Sequence, residues 1–279
     1  AKIIDWYNSV GGLVAIMIFT LLVTALALIC LLRATSIEAS ITDSSGGSQA
    51  TTRKNLMQFK RNSFFWRASL NRSTGIASSF EKSIFYLGNE ISPANRARVN
   101  EFAQEIFSNY PEFLGKPSLT LGLCRSVPSS ECCNLRTSFL PLDVLNFGKA
   151  RVVSSKNRFR NNVDDGQSGK VLCCIEIPIV GGLLANVDTQ SSQSKTKPKD
   201  DHGCIRFTWL QLLKHQQKPK IAIITEIAGN YRPTLVGSKI PIPSWRNIMY
   251  CSTQRMFHAY VMWRFHGFVV KEYQRRVDG

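Results

Sequence analysis

From Val10 to Leu32 the chain reads VGGLVAIMIFTLLVTALALICLL, with no charge and only Thr20 and Thr24 as polar side chains. As a helix this run is about 35 Å long, enough for a bilayer core of about 30 Å. Trp6 and Tyr7 precede it and Arg33 follows it, where interfacial anchors belong. The pattern predicts a retained single-pass transmembrane helix over 10–32, flanked by residues 1–9. A cleaved signal is the competing reading, and its apolar region of about 7–15 residues is shorter than this one.

The pattern then changes. Residues 33–52 turn Ser-, Thr- and Gly-rich, with the composition of a flexible tether. Residues 53–91 open with RKNLMQFKRNSFFWRASLNR, where basic side chains alternate with bulky apolar ones. Two readings fit that segment: it lies at the headgroup level of an anionic leaflet, or its aromatics plug a folded domain. The first reading assigns membrane or anionic-surface contact to Arg53, Lys54, Lys60, Arg61, Trp66 and Arg67.

Residues 92–279 are expected to form one α+β domain. Ser92 and Pro93 open a helix whose apolar stripe is Val99, Phe102, Ala103, Ile106 and Phe107. Strand character follows at 118–125, 149–155, 170–180, 204–213 and 220–229. The last three lack an intervening helix, which predicts an antiparallel meander. The polar, low-complexity stretch 186–203 interrupts that meander as an expected disordered hairpin insertion. Pro241 and Pro243 end the strands, and Ser244 starts a long C-terminal helix reaching about Arg276.

Within that helix, FHAYVMWRFHGFVV (257–270) scatters apolar side chains around the axis when projected at about 100° per residue. No single stripe emerges, so enclosure on most sides is expected. The run is too short for a second span and carries Arg264 at its centre. The order of meander then long helix resembles the helix-grip arrangement of START-like lipid-binding folds. That resemblance implies a sheet curved around the helix; in the other reading the helix is packed partly by its own sheet and partly by another subunit or the membrane surface. Between them the two readings give Trp209, Ile223, Tyr260, Trp263 and Phe265 as candidates for an apolar pocket or partner face. The resemblance rests on element order alone and does not give function.

Charge narrows the partners. The chain carries 35 Lys+Arg against 19 Asp+Glu, a formal +16 over 279 residues, which favours anionic lipid, nucleic acid or an acidic protein surface. The basic turn at Lys156, Arg158, Phe159 and Arg160 offers one aromatic, without the row of stacking rings a single-strand binder uses, so nucleic acid is the least favoured. No acid lies between Asp43 and Glu81, which places the domain on the cytosolic side of its membrane, or on an equivalent matrix or stromal side. Cysteine usage agrees: outside the span, the odd set with adjacent pairs Cys132-Cys133 and Cys173-Cys174 is a poor disulfide framework.

No catalytic constellation emerges. The chain has no G-x-S-x-G, phosphate-binding P-loop, G-x-G-x-x-G after a strand or H-E-x-x-H. Its cysteines and histidines lack paired metal-ligand spacing, and His258 and His266 sit about 80° apart on the helix. Glu176 and Glu226 fall mid-strand, and Arg206 is placed to pair with Glu226 across strands. The expectation is therefore a non-enzymatic, single-pass membrane protein without cofactor or metal. It would serve as an accessory or scaffold subunit, or an adaptor, of a membrane protein complex. A membrane-tethered carrier of lipid or another apolar ligand is the alternative.

Overall fold

The computed structural model describes residues 61–86, 96–120, 122–129, 132–138, 141–153, 169–185, 203–212, 220–236 and 240–278. The expected span, the tether, Arg53, Lys54, Lys60, the basic turn at 156–160 and nearly all of the 186–203 insertion lie outside them. Among the described residues no helix is long and apolar enough to cross a membrane. Two compact units divide the chain: Met57–Asn247 with Val261–Gly279, and Ala1–Leu56 with Ile248–Tyr260. Of the second unit only Ile248–Tyr260 is described, and it is helical apart from a turn at Thr253, whose Oγ1 donates to the Met249 carbonyl.

The larger unit is α+β with an antiparallel sheet. Strands β1 (Arg61–Leu70) and β2 (Ala77–Tyr86) form a hairpin. Three helices follow, α1 (Arg96–Ser108), α2 (Tyr110–Leu114) and α3 (Pro117–Thr120). Strands β3 (Cys124–Pro128), β4 (Cys132–Thr137), β5 (Asp143–Gly148), β6 (Arg151–Val152), β7 (Gly169–Gly181), β8 (Cys204–Leu212) and β9 (Lys220–Ala228) complete the sheet. Their order is β1-β2-β9-β8-β7-β5-β4-β3, with β6 also paired to β7. Helices α4 (Ser244–Ser252) and α5 (Gln254–Tyr273) follow, and a π-helical segment over Gln274–Asp278 continues from α5.

The hairpin β1–β2 changes the reading of 53–91. Trp66 pairs with Glu81 and Arg67 with Phe80, so both belong to the sheet. Trp66 is half-buried, whereas Arg67 is exposed with its guanidinium 6.0 Å from the Phe80 ring centroid. Arg61 starts the strand. The strand read at 118–125 is also displaced: Pro117–Thr120 is helical, because Pro117 suits a first turn, and Cys124–Pro128 is the strand.

Alternation sorts the central strands into two faces. One carries Ser79, Glu81, Ser83 and Phe85 of β2, opposite Ile227, Thr225, Ile223 and Ile221 of β9. Phe207 and Trp209 of β8 continue it, beside Ile175 and Cys173 of β7. Rings from α1, α2 and α5 pack on this face. The other face carries Leu210, Leu212, Ala222 and Ile224, packed with Phe80, Ile84 and Val171. Gly182 bends the chain off β7 at φ 112°, and a Cβ there would sit 2.6 Å from the Leu145 Cα. Only glycine fits that approach.

Between Val261 and Tyr273, α5 does have one buried stripe, against the expectation of near-complete enclosure. Val261, Met262, Phe265, His266, Val269, Val270 and Tyr273 are buried, while Arg264 and Lys271 are exposed. The spacing is helical, and His266 completes it. Treating that histidine as polar hid the stripe, while Trp263 and Phe268, only half-buried, blurred it from the other side.

Candidate functional site

A helix-grip carrier keeps its ligand between sheet and C-terminal helix. In this chain that space holds the protein's own rings. Phe207 of β8 stacks on Phe107 of α1 with centroids 5.2 Å apart and planes 17° from parallel. Tyr110 lies 5.0 Å from both Phe207 and Phe265, and Phe265 lies 5.2 Å from Phe207. Trp209 meets Tyr273 at 5.5 Å and Phe102 edge-on at 5.9 Å. These offset and edge-to-face distances are those of close aromatic packing.

Of the five residues read as a possible pocket, the structure gathers Trp209, Ile223 and Phe265 into this core, all fully buried. Trp263 is half-buried on the flank of α5, and Tyr260 belongs to the other unit. Trp209 Nε1 is buried without a hydrogen-bond acceptor among the described residues. A buried unmatched indole N–H carries a desolvation cost.

Beside the rings lies a buried polar cluster that the sequence reading did not assemble. His266 Nδ1 is 2.8 Å from Ser83 Oγ, and His266 Nε2 is 2.8 Å from Thr225 Oγ1. Each hydroxyl can donate or accept, so together they satisfy the ring in either tautomer. Phe64 of β1 approaches the imidazole edge-on at 6.1 Å. Glu81 is fully buried next to Ser83 on β2, and the Ser79 hydroxyl donates to its Oε2 at 3.5 Å. Burial, then the Glu81 carboxylate, then Tyr231 push the Tyr110 phenol well above its ordinary pKa.

A serine hydroxyl on a histidine nitrogen is also how an activated nucleophile begins. Here the far nitrogen meets a threonine instead of a carboxylate, and Ser83, Thr225 and His266 have no exposed surface. The trio closes the helix onto β2 and β9. Replacing Ser83 by alanine removes the buried hydroxyl at His266 Nδ1, and the unfolding free energy in denaturant melts is expected to fall by about 1–3 kcal/mol.

On the opposite face Arg206 joins two carboxylates. Its Nη2 is 2.6 Å from Glu176 Oε1 and its Nη1 is 3.3 Å from Glu226 Oε2. Arg151 of β6 adds a contact to Glu176 Oε2 at 3.3 Å. The Arg206–Glu226 pairing is the expected one. Glu176 alternates with Ile175 and Ile177 along β7, and its side chain is only 6% exposed.

No disulfide links Cys124, Cys132, Cys133, Cys173, Cys174 or Cys204. Burial pushes the Cys124 thiol up to about 11, and burial with neighbouring Cys174 takes Cys173 to about 12. Thiols so held are not nucleophilic at neutral pH. With iodoacetamide near pH 8, mass spectrometry should find Cys124 and Cys173 unmodified in the native protein and fully labelled after unfolding. Among the described residues no group of three or more His, Cys, Asp or Glu side chains converges as a metal site. No known protein family and no curated protein matches the chain.

Proposed function

We propose that the chain is a single-pass membrane protein whose basic domain adopts a helix-grip-like fold. It acts without chemistry of its own, as an accessory or scaffold subunit, or an adaptor, of a membrane protein complex. The span is read from 10–32, and the domain is assigned to the cytosolic, matrix or stromal side. The observation that carries this reading is the ring cluster of Phe107, Tyr110, Phe207, Trp209 and Phe265, which occupies the place where a carrier would hold cargo. Solubilisation from its membrane in mild detergent, followed by native mass measurement, tests it. Stoichiometric co-purifying subunits are expected, and a lone monomer overturns it.

The carrier reading draws on one observation, the buried Trp209 N–H that has no acceptor among the described residues and that a ligand oxygen could meet. Trp209→Phe separates the two. A carrier loses bound lipid in extracts of the purified protein, whereas a packed core retains its stability and yields no ligand from either form.

A further inference from the structure

Two acid-free stretches of the sequence meet where the β1–β2 turn contacts the segment leading into α4. The first runs between Asp43 and Glu81 and the second between Glu226 and Glu272. The second contains Arg232, Lys239, Arg246, Arg255, Arg264 and Lys271 and no Asp or Glu. Arg72, in the β1–β2 turn, pins the two. Its guanidinium donates to the Ile242 carbonyl at 3.1 and 3.3 Å and to Ser244 Oγ at 3.2 Å, while the Ile242 N–H donates to the Arg72 carbonyl at 2.9 Å. The junction is thus braced on both strands of contact, and buried Ile242 plugs it.

What projects from the junction is apolar. Ile240 is 47% exposed and Trp245, in the first turn of α4, is 58% exposed. The Arg246 guanidinium sits 5.0 Å from the Trp245 ring centroid and donates to the Val236 carbonyl at 3.2 Å. A projecting indole with a cation against it, beside an exposed isoleucine and in a segment without acids, has the make-up of a headgroup-level anchor.

We infer that the Ile240–Arg246 junction is a docking face for an anionic bilayer surface, with Trp245 and Ile240 entering the headgroup region and Arg72 and Arg246 facing lipid phosphates. This builds on the tethered-domain reading. The tether allows it: residues 33–60 have a contour of about 90–100 Å at ~3.3–3.6 Å each, whereas β1, which separates their end from Arg72, is about 33 Å long. Nucleic acid fits less well, because an exposed isoleucine contributes nothing to phosphate contact and single-strand binders line up several rings.

The test is tryptophan quenching by brominated phosphatidylcholine in nanodiscs carrying the full chain, with and without phosphatidylserine. Trp6, beside the expected span, supplies a background that does not depend on phosphatidylserine. Phosphatidylserine is expected to raise the quenching, Trp245→Phe to abolish the rise, Arg246→Gln to reduce it and high salt to suppress it. A rise that survives Trp245→Phe overturns the assignment of this face, as does the lack of any rise. Retention by single-stranded RNA that Trp245→Phe weakens assigns the face to nucleic acid and overturns the bilayer. Alkaline carbonate extraction reads the anchor separately. A chain released by carbonate can still be floated on the same brominated vesicles, so failure of the tether and failure of the face are told apart.

Discussion

Replacing Phe265 by alanine is expected to lower the unfolding free energy by about 3–5 kcal/mol, the range for a large buried ring. Phe265 is fully buried and packs on rings of other elements, with centroids 5.0 Å from Tyr110, 5.0 Å from Phe113, 5.2 Å from Phe207 and 6.3 Å from Phe107. Those partners come from α1, α2 and β8, so no single element can shift to close the void. Part of the loss is transfer of the ring and part is the cavity left behind. The same measurement bears on function. If the space between sheet and α5 were a ligand chamber, removing one lining ring would enlarge a cavity already present and cost far less. A loss below about 1.5 kcal/mol, the level of a volume-conserving swap, therefore argues against a packed core. At about 2–4 °C per kcal/mol for a domain of this size, the shift is readily measured in a thermal melt.

The ring core also shows what the sequence could reveal. The strands β7, β8 and β9 fall within a residue or so of where their apolar runs place them, because strands buried on both faces are written as near-continuous Ile, Cys, Leu and Phe. The β1–β2 hairpin escaped for the opposite reason. On β2 the residues facing the helices are Ser79, Glu81 and Ser83, while Phe80 and Ile84 face the other way. Hydrophobic-in, polar-out alternation is there inverted, and one of the polar side chains, Ser83, answers a polar group on α5. That group, His266, is separated from Ser83 by most of the chain, and nothing local to either residue announces the contact. The same histidine disguised the stripe of α5. The Arg206–Glu226 pair was legible because both lie mid-strand in neighbouring meander strands, whose register follows from the hairpin order. Its third member, Glu176, depends on the register of β7 against β8, which contains a shift between Val171 and Cys173.

Arg206→Met is expected to cost about 3–5 kcal/mol, as when one partner of a buried ion pair is removed. Methionine keeps much of the volume, so little of that cost is a cavity. What remains is a pair of carboxylates, Glu176 with a side chain 6% exposed and Glu226 with one 15% exposed, on strands that flank β8 on either side. Arg151 still reaches Glu176 at 3.3 Å, but its side chain is 52% exposed and it comes from the two-residue edge strand β6, so it screens only one of the two charges. Uncompensated charge, not lost packing, is thus the cause, and a triple variant isolates it. Adding Glu176→Gln and Glu226→Gln to Arg206→Met removes both charges while preserving shape, and most of the lost stability should return in urea melts. Replacing a buried ion network with neutral groups of similar volume is often neutral or stabilising. If the triple variant stays as unstable as Arg206→Met alone, the arginine holds the sheet through its stem packing and not through its charge. In that case Arg206→Lys, with Nζ in reach of at most one carboxylate at a time, should restore more stability than the two glutamines do.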